Sequence, residues 1–245
     1  MYTRFQLAKK YLHYYLSAAN GKGHGIHSPF VFSFIKHVLR DKQQYEYYGI
    51  IEKCRQQLLK ERDTIEVEDL GAGSAMIKTN KRVVADIAAS SLKPSKYARL
   101  LYRMVKHYKP QNILELGTSL GITTCYLAAA GIHSKVFTIE GSEAIAGIAE
   151  NTFEKAGLKN IELTRGNFND VLPAVLSKAG KIDLAFIDGN HRKEPTLAYF
   201  EMLLDNTHSN SILIFDDIHW SAGMEEAWEA IKQHPAVTLT LDLFF

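Results

Sequence analysis

The stretch NILELGTSLGITT, from Asn112 to Thr124, decides the fold of this chain. Its first five residues are mostly apolar, as in a buried β-strand, and the stretch leads directly into a helix. Between these two elements Gly117 permits a tight turn, and Gly121 permits close approach of the backbone where the helix begins. A strand, a glycine-containing loop and a helix in this order predict the first unit of a parallel α/β sheet.

Four more short apolar runs follow, each leading into helical or loop sequence. They are KVFTIE (Lys135–Glu140), NIELT (Asn160–Thr164), IDLAFID (Ile182–Asp188) and SILIFD (Ser211–Asp216). The alternation predicts an α/β fold with a Rossmann-like, doubly wound, mostly parallel sheet covered by helices on both faces. Such sheets bind ligands at the carboxyl ends of their strands, so we expect the functional residues just after each run.

Residues 1–93 are predicted to form a helical N-terminal region, a basic cap or lid, in front of the α/β domain over residues 94–245. A helix is expected to start at Ser28, since serine suits the cap position and the following proline suits the first turn. Further helices are expected over Gln44–Glu61, over Asn80–Ser91 and from Pro94 onward. The last of these is expected to close over the site, with Tyr97, Arg99 and Tyr102 as contacts.

The composition is that of an ordinary globular protein, with 46% hydrophobic and 23% charged residues among 245. No apolar run of about 18 residues occurs, so a membrane span is not expected. The two cysteines, Cys54 and Cys125, support neither a disulfide framework nor a structural zinc site. We therefore expect a reduced, cytoplasmic setting.

Charge is distributed unevenly along the chain. Residues 1–111 hold 20 Lys and Arg against 9 Asp and Glu, whereas residues 112–245 hold 9 against 18. One interpretation is a basic cap that meets an anionic substrate or a nucleic acid. The other, which we favour, is that the two halves complement each other or that the lysines lie on solvated helix faces.

The loop after the first strand favours a cofactor other than a dinucleotide. A dinucleotide fingerprint requires a third glycine where Ser119 stands, so that the backbone can reach a pyrophosphate. Glu115 stands two residues before Gly117, and a carboxylate beside the loop suits a cofactor with a positively charged tail. S-adenosylmethionine has such a tail, because it carries an ammonium and a sulfonium but no phosphate.

The next two runs end in residues that suit a nucleoside. Glu140 lies 19 residues beyond Gly121, where an acid can accept hydrogen bonds from both ribose hydroxyls. The following run leads to Asn167 and Phe168, of which the first can hydrogen-bond an adenine edge while the second packs beside the ring.

In this order and spacing the motifs resemble those of class I S-adenosylmethionine-dependent methyltransferases. ELGTSLG matches their glycine loop, VFTIEG their ribose-binding acid and RGNF their adenine-contacting turn, and the resemblance covers about Tyr97 to Asp217. It implies methyltransferase activity with S-adenosyl-L-methionine as the cofactor. The implied cofactor contacts are Glu115, Gly117, Thr118, Ser119, Gly121, Glu140, Gly141, Asn167, Phe168 and Asp188.

Three carboxylates follow the fourth and fifth runs, Asp188 in IDGNH and Asp216 and Asp217 in FDDIHW. Neighbouring carboxylates repel unless a positive charge intervenes, and a hard cation such as Mg²⁺ would serve. The arrangement is similar to that of the catechol and caffeoyl-coenzyme A O-methyltransferases. In that family an aspartate after the fourth strand and an Asp-Asn pair after the fifth hold a divalent metal that orients the acceptor hydroxyls.

This resemblance implies O-methylation of a small-molecule hydroxyl, with Asp188, Asp216 and Asp217 as the metal ligands. The sequence departs from the family at two positions. Asp217 stands where the family has asparagine, and His191 stands where it has a basic lysine. A histidine can act as a general base, since its ordinary pKa near 6.5 is closer to neutrality than that of lysine.

We therefore expect metal-assisted methylation with His191 as the base and Asp188 beside it. His219 is a second candidate catalytic base, and Trp220 is a candidate wall for an aromatic acceptor, although packing roles explain both residues as well. The alternative role for Asp216 and Asp217 is that they cap the strand or contact the cofactor without a metal.

Other functions stay open at this stage. A nucleic-acid methyltransferase would use the basic N-terminal region, although the chain has no Asn/Asp-Pro-Pro-aromatic tetrapeptide and no Pro-Cys pair. An NAD-dependent oxidoreductase and a cofactor-binding module without catalytic activity are further alternatives. A second glycine-containing stretch, DLGAGS (Asp69–Ser74), is predicted to be a surface turn, because the preceding IEVE is too short and charged for a buried strand.

The last run, VTLTLDLFF (Val237–Phe245), alternates with period two and predicts a sixth strand. The resemblance predicts a seventh, antiparallel strand after it. Either the sequence continues beyond Phe245 in the full protein, or a sheet edge stays open for a partner strand, which would favour a homodimer.

Overall fold

The computed structural model describes residues 1–17, 28–67 and 80–244, so the predicted turn at Asp69–Ser74 lies outside the described residues. The helices are α1 (Arg4–Ser17), α2 (Pro29–Phe34), α3 (Glu46–Leu58), α4 (Val84–Ser91), α5 (Ser95–Tyr108), α6 (Ile122–Ala130), α7 (Glu143–Lys155), α8 (Phe168–Ala179), α9 (Lys193–Leu204) and α10 (Ala222–Gln233), and a π-helical turn, Ile35–Leu39, continues α2. The strands are β1 (Thr64–Glu66), β2 (Lys81–Val83), β3 (Asn112–Leu116), β4 (Lys135–Glu140), β5 (Ile161–Arg165), β6 (Leu184–Ile187) and β7 (Ile212–Phe215). None of the helices in this part of the chain has both the length and the apolar character needed to cross a membrane.

Five strands form one sheet in the order β5-β4-β3-β6-β7, and every neighbouring pair is parallel. Leu116 at the end of β3 lies opposite Ile139 of β4 and Ile187 of β6, so the central strands end at the same level. The five strands predicted from the apolar runs, and the doubly wound Rossmann-like fold, are confirmed.

Helices cover both faces because side chains alternate along each strand. Ile113 of β3 packs in one core cluster with residues of α5, α6 and α7. Leu114 and Leu116 point to the other face and pack with α8 and α9. With both faces covered, ligands can reach the sheet only at the ends of its strands.

Helix α5 is part of this core. Leu101 and Val105 on one face of the helix are buried against α6. Tyr102 is also buried, with its ring centroid 5.0 Å from that of Tyr48 and 6.5 Å from that of Tyr126. The apolar face of α5 is thus packed in the core, while Pro94 at the start of the helix lines the cavity, and the closure of α5 over the site stays a prediction.

The helix predicted over Asn80–Ser91 is correct only in its second part. Lys81–Val83 instead pairs as strand β2 with β1 in a small antiparallel sheet, and the helix α4 begins at Val84. The reason is tertiary, since the main chain of β2 finds hydrogen-bond partners in β1 that a helical turn would forgo. The predicted helix starts at Ser28 and near Pro94 are confirmed, and α3 lies within the predicted Gln44–Glu61.

The run from Val237 onward is not a strand of the sheet in the described residues, which corrects the prediction of a sixth strand. This segment lies against α1 instead. The Tyr14 hydroxyl donates to the main-chain oxygen of Asp242 at 2.9 Å, and the Phe244 ring lies against the Tyr14 ring with centroids 5.2 Å apart. The C-terminal segment is thus held by side-chain contacts with α1 and does not pair with β7.

The start of the chain is fastened to the same side of the molecule. The Tyr2 main-chain N–H donates to the oxygen of Trp220 at 3.0 Å, and the Lys10 ammonium lies 2.8 Å from Glu225 of α10. Segments more than 200 positions apart in the sequence are therefore joined by hydrogen bonds and an ion pair.

One carboxylic acid is buried completely within the core. Glu115 of β3 has no exposed surface, and its Oε2 accepts hydrogen bonds from the hydroxyls of Thr124 at 2.5 Å and Thr138 at 2.7 Å. Its other oxygen, Oε1, has no hydrogen-bond partner among the described residues. Burial raises the pKa of Glu115 to about 7, because the charged form loses its hydration.

The packing of α5 leads to a prediction for Leu101→Ala. The substitution removes a fully buried side chain between α5 and α6, so we expect the free energy of unfolding to fall by about 2–5 kcal/mol. Urea denaturation followed by circular dichroism would measure the change, with Lys106→Ala on the exposed face of α5 as the control. A loss below about 1 kcal/mol would mean that α5 is not held in the core.

The buried carboxyl of Glu115 leads to a second prediction. Because its folded-state pKa is raised from 4.5 to about 7, the folded protein binds this proton more tightly than the unfolded chain does. Stability is therefore lost as the pH rises from about 4.5 through 7, by about 3 kcal/mol at most. The Glu115→Gln variant should not show this loss. The difference in the free energy of unfolding between wild type and Glu115→Gln, measured by urea denaturation, should therefore change between pH 5 and pH 8.

The exposed Glu194 of α9 provides the control, and Glu194→Gln should show the same pH profile as the wild type. Parallel profiles for wild type and Glu115→Gln would contradict the raised pKa.

Candidate active site

A cavity of about 520 Å³ lies at the carboxyl ends of the sheet strands, where the sequence pattern predicts it. Its walls come from the ends of β3, β4, β6 and β7, and from the segment around α4 and Lys93. The lining residues that matter for chemistry are Gly117, Glu140, Phe168, Asp188, His191 and Lys93.

Gly117 makes this cavity possible. Its φ of 101° is unfavourable for other residues, and a Cβ atom at this position would collide with the main-chain oxygen of Asp188. Gly121, with φ of 82°, is also required, but for packing: a Cβ there would lie 2.6 Å from the Phe153 ring of α7. Its close approach is thus to a neighbouring helix, not to the cavity.

Glu140 lines the cavity from the end of β4, and two main-chain donors hold its carboxylate. The N–H of Ser119 donates to Oε2 at 2.8 Å, and the N–H of Ser142 donates to Oε1 at 3.0 Å. The acid at the second strand is therefore tied to the glycine loop of the first. Gly141 lies beside it in the cavity wall.

The turn after β5 contributes an aromatic wall. Phe168 packs edge to face on Tyr199, with centroids 5.8 Å apart, and its ring lies where a Cβ at Gly189 would be. Asn167 also lines the cavity, but its Oδ1 accepts from the N–H of Asn169 at 3.0 Å and caps α8. The predicted adenine contact of Asn167 would have to use the rest of its amide group.

The remaining loop residues fall into two groups. Ser119 lines the cavity, and its hydroxyl lies 3.0 Å from that of Ser91. Thr118 is buried, with its hydroxyl 2.6 Å from that of Thr138, and Glu115 lies beneath the loop and does not line the cavity. Thr118 and Glu115, which were both predicted to contact the cofactor, therefore support the loop from below through their shared hydrogen-bond partner, Thr138.

The acceptor side contains a buried ion-pair cluster. Asp216 is buried, and its Oδ2 accepts a hydrogen bond from the ammonium of Lys93. The same ammonium lies 3.6 Å from Asp188 Oδ2. Burial and the neighbouring Asp216 carboxylate raise the pKa of Asp188 well above its ordinary value, and they raise the pKa of Asp217 as well.

His191 lies beside this cluster. Its Nε2 is 3.8 Å from Asp188 Oδ1 and 3.6 Å from Asp217 Oδ2, so two carboxylates flank the ring at ion-pair distance. The structure thus brings together Asp188, His191 and Asp217 from the ends of β6 and β7, as the sequence predicted.

The predicted metal site can be tested against this arrangement. Carboxylate oxygens are ligands that Mg²⁺ prefers, but the Lys93 ammonium already lies between Asp216 and Asp188. No group of three or more acidic, histidine or cysteine side chains in the described residues is arranged to hold a metal ion. With the ammonium in this position, the predicted ligands Asp188, Asp216 and Asp217 lie near one another but are not arranged to hold a divalent cation.

His219 does not belong to the cavity, which corrects its assignment as a catalytic base. Its Nε2 lies 2.9 Å from Asp242 and its Nδ1 lies 3.2 Å from Glu225, so both ring nitrogens are engaged. Burial lowers the pKa of His219, but these two carboxylates outweigh it and raise the pKa overall. Trp220, in contrast, lines the cavity as predicted.

Sequence reasoning missed Lys93 and Ser91, which come from the segment between α4 and α5. The position of Lys93 directly before Pro94 was a usable signal, because a residue before proline is held in an extended conformation. Nothing local in the sequence indicates, however, that this segment crosses the mouth of the cavity.

Comparison with known proteins adds to this geometry. Residues 114–218 match a family described as the methyltransferase domain. A catechol O-methyltransferase of Niastella koreensis is 29% identical over 143 residues, which cover 57% of this chain and 63% of that protein. An O-methyltransferase of Aspergillus hancockii is 29% identical over 131 residues, which cover 50% of each chain. The chain thus matches less than two thirds of the length of these curated relatives.

Two solved structures show the same fold over most of their length. An O-methyltransferase from Bacillus cereus in complex with SAH has a TM-score of 0.59 at 24% identity, covering 84% of this chain and 86% of that chain. The SAH-bound methyltransferase PaMTH1 of Podospora anserina has a TM-score of 0.62 at 14% identity, covering 100% and 94%. At these identities the likeness establishes the fold alone. In sequence, residues 114–218 are thus similar to methyltransferase domains, and the fold is the one that these solved methyltransferases share.

Proposed function

We propose that this chain is an S-adenosylmethionine-dependent O-methyltransferase that acts on a hydroxyl group of a small molecule. The observation that carries the proposal is one cavity that joins a glycine loop and Glu140 at one end to His191 and its carboxylates at the other. The first set suits a nucleoside with a charged tail, and the second suits proton removal from an acceptor.

The residues on the loop side fit the cofactor. Gly117 lets the loop after β3 approach the main chain of Asp188, where any Cβ atom would collide, so the glycine loop and Asp188 border the same cavity. Two main-chain N–H groups orient the Glu140 carboxylate in the cavity wall, where a carboxylate can accept the ribose hydroxyls. Phe168 provides an aromatic surface for the adenine.

When bound, S-adenosylmethionine supplies a methyl group: its carbon–sulfur bond breaks, the electron pair stays on sulfur, and the acceptor oxygen bonds to the methyl carbon. The protein contributes position and proton removal. His191 takes the proton of the acceptor hydroxyl, and Asp188 and Asp217 on either side stabilise the imidazolium that forms.

A histidine base favours a phenolic acceptor over an aliphatic alcohol. A phenol has a pKa of about 10 and water one of about 15.7, so an ordinary imidazole is much closer to the former. Trp220 in the cavity wall suits an aromatic ring. The names of the curated relatives, among them a catechol O-methyltransferase, support the same class of acceptor.

Binding of the cofactor can be tested with Glu140→Gln. The substitution keeps the shape but removes the charge that accepts the ribose hydroxyls, so we expect the dissociation constant for S-adenosylhomocysteine to rise about 10- to 100-fold. Isothermal titration calorimetry would measure it, with Glu143→Gln in the exposed first turn of α7 as the control. Wild-type protein that binds NAD but not S-adenosylhomocysteine would refute the proposal.

The base can be tested with His191→Gln and a panel of catechols as acceptors. We expect kcat to fall about 10²- to 10⁴-fold, because the acceptor proton loses its base, while affinity for S-adenosylhomocysteine stays within about threefold. The exposed His133 serves as the control through His133→Gln. An unchanged kcat in His191→Gln would exclude this residue as the base.

A further inference from the structure

The Lys93 side chain is more buried and more restricted than is usual for a lysine. It lies in the short connection between α4 and α5, directly before Pro94, and its side chain is only 9% exposed. The next residue, Ser95, donates its hydroxyl to Glu52 of α3 at 2.8 Å, which fixes the start of α5. Pro94 restricts the backbone of Lys93, and the contacts with Asp216 and Asp188 hold the ammonium at the strand ends.

The partners of the ammonium lie on the acceptor side of the cavity. It donates to Asp216, lies 3.6 Å from Asp188, and lies 5.4 Å from the centre of the Phe186 ring. An ammonium has three N–H donors, and Asp216 is the one carboxylate within hydrogen-bond distance among the described residues. Lys93 also lines the cavity, so a ligand there can meet it.

We propose that the Lys93 ammonium occupies the place among the acidic side chains that a divalent cation would otherwise take, and that it binds the acceptor oxygen during methyl transfer without a metal ion. The catalytic part of this inference rests on the proposed function. The charge argument does not, because Asp188 and Asp216 need a positive neighbour whatever the reaction is.

The chemical roles of the two basic residues then differ. The Lys93 ammonium donates to Asp216 and lies 3.6 Å from Asp188, so carboxylates compensate its positive charge at this position. It stabilises the negative charge that develops on the acceptor oxygen. The proton of the acceptor goes to His191, and the methyl carbon bonds to the oxygen as its bond to sulfur breaks.

The class of acceptor follows from this charge. An ammonium held against the acceptor oxygen favours an acceptor that reacts as a phenolate. An ammonium needs only one acceptor oxygen to bind, whereas a metal ion that chelates requires two neighbouring hydroxyls. We therefore expect both monophenols and catechols to be methylated. A chelating metal would disfavour methylation of the monophenols.

The experiment compares the wild type with Lys93→Met, which keeps length and volume but removes the charge. Lys93→Arg is the conservative variant, and Lys96→Met, on the exposed first turn of α5, is the matched control. Turnover of a monophenol and a catechol is measured after dialysis against a chelator and again with added Mg²⁺. Binding of Mn²⁺ to the wild-type chain is followed by electron paramagnetic resonance.

We expect wild type and Lys96→Met to be unaffected by the chelator, and Lys93→Met to lose at least about 100-fold in kcat while it still binds S-adenosylhomocysteine. Lys93→Arg should recover part of the loss, and wild type should not bind Mn²⁺ at sub-millimolar concentration. Activity that disappears with the chelator and returns with Mg²⁺ would overturn the proposal. Binding of one Mn²⁺ per chain, lost in the Asp216→Asn variant, would also overturn it. Full activity of Lys93→Met would do the same.

The two proposals fail in different ways. If no phenol is methylated by any variant although S-adenosylhomocysteine binds, the proposed acceptor class is wrong. The Mn²⁺ titration of the wild-type chain still decides whether Lys93 or a metal occupies the carboxylates.

Discussion

The contact between Gly117 and the main chain of Asp188 is the constraint on which the site depends. Strands β3 and β6 are neighbours in register, so the glycine loop and the acceptor aspartate must meet at the same edge of the sheet. Because nothing larger than hydrogen fits at Gly117, the two loops come within van der Waals distance. In the proposed function, a nucleoside held by the first loop would therefore lie next to the groups of the second.

The layers beneath the loop keep this contact in place. Glu115, Thr124 and Thr138 form a buried polar group below the loop, and Glu140 bonds the loop from the side. A carboxyl group this deep is costly to ionise. Through Thr138, the Glu115 carboxyl is connected by hydrogen bonds to Thr118 of the glycine loop. An apolar side chain at the position of Glu115 could not make this connection.

The sequence predicted the parallel sheet well because that information is local. Each of the five apolar runs is a strand within one or two residues of its expected bounds, and Glu140, Phe168, Asp188, His191 and Asp217 all lie at the cavity. The errors concern contacts between distant segments. Lys81–Val83 became a strand through β1, the run after Val237 lies along α1, and His219 is held by Asp242. Lys93 was missed for the same reason, since only the folded chain carries it to Asp216.

The attachment of the first residues to Trp220 has a consequence for the cavity. Trp220 is one of its walls, and its main-chain oxygen accepts from Tyr2, while α1 is joined to α10 through Lys10 and Glu225. The N-terminal helix is thus mechanically coupled to the mouth through which an acceptor enters. Displacing that helix would break the hydrogen bond from Tyr2 to Trp220 and so alter this wall of the cavity, and the fluorescence of the Trp220 indole would report the change.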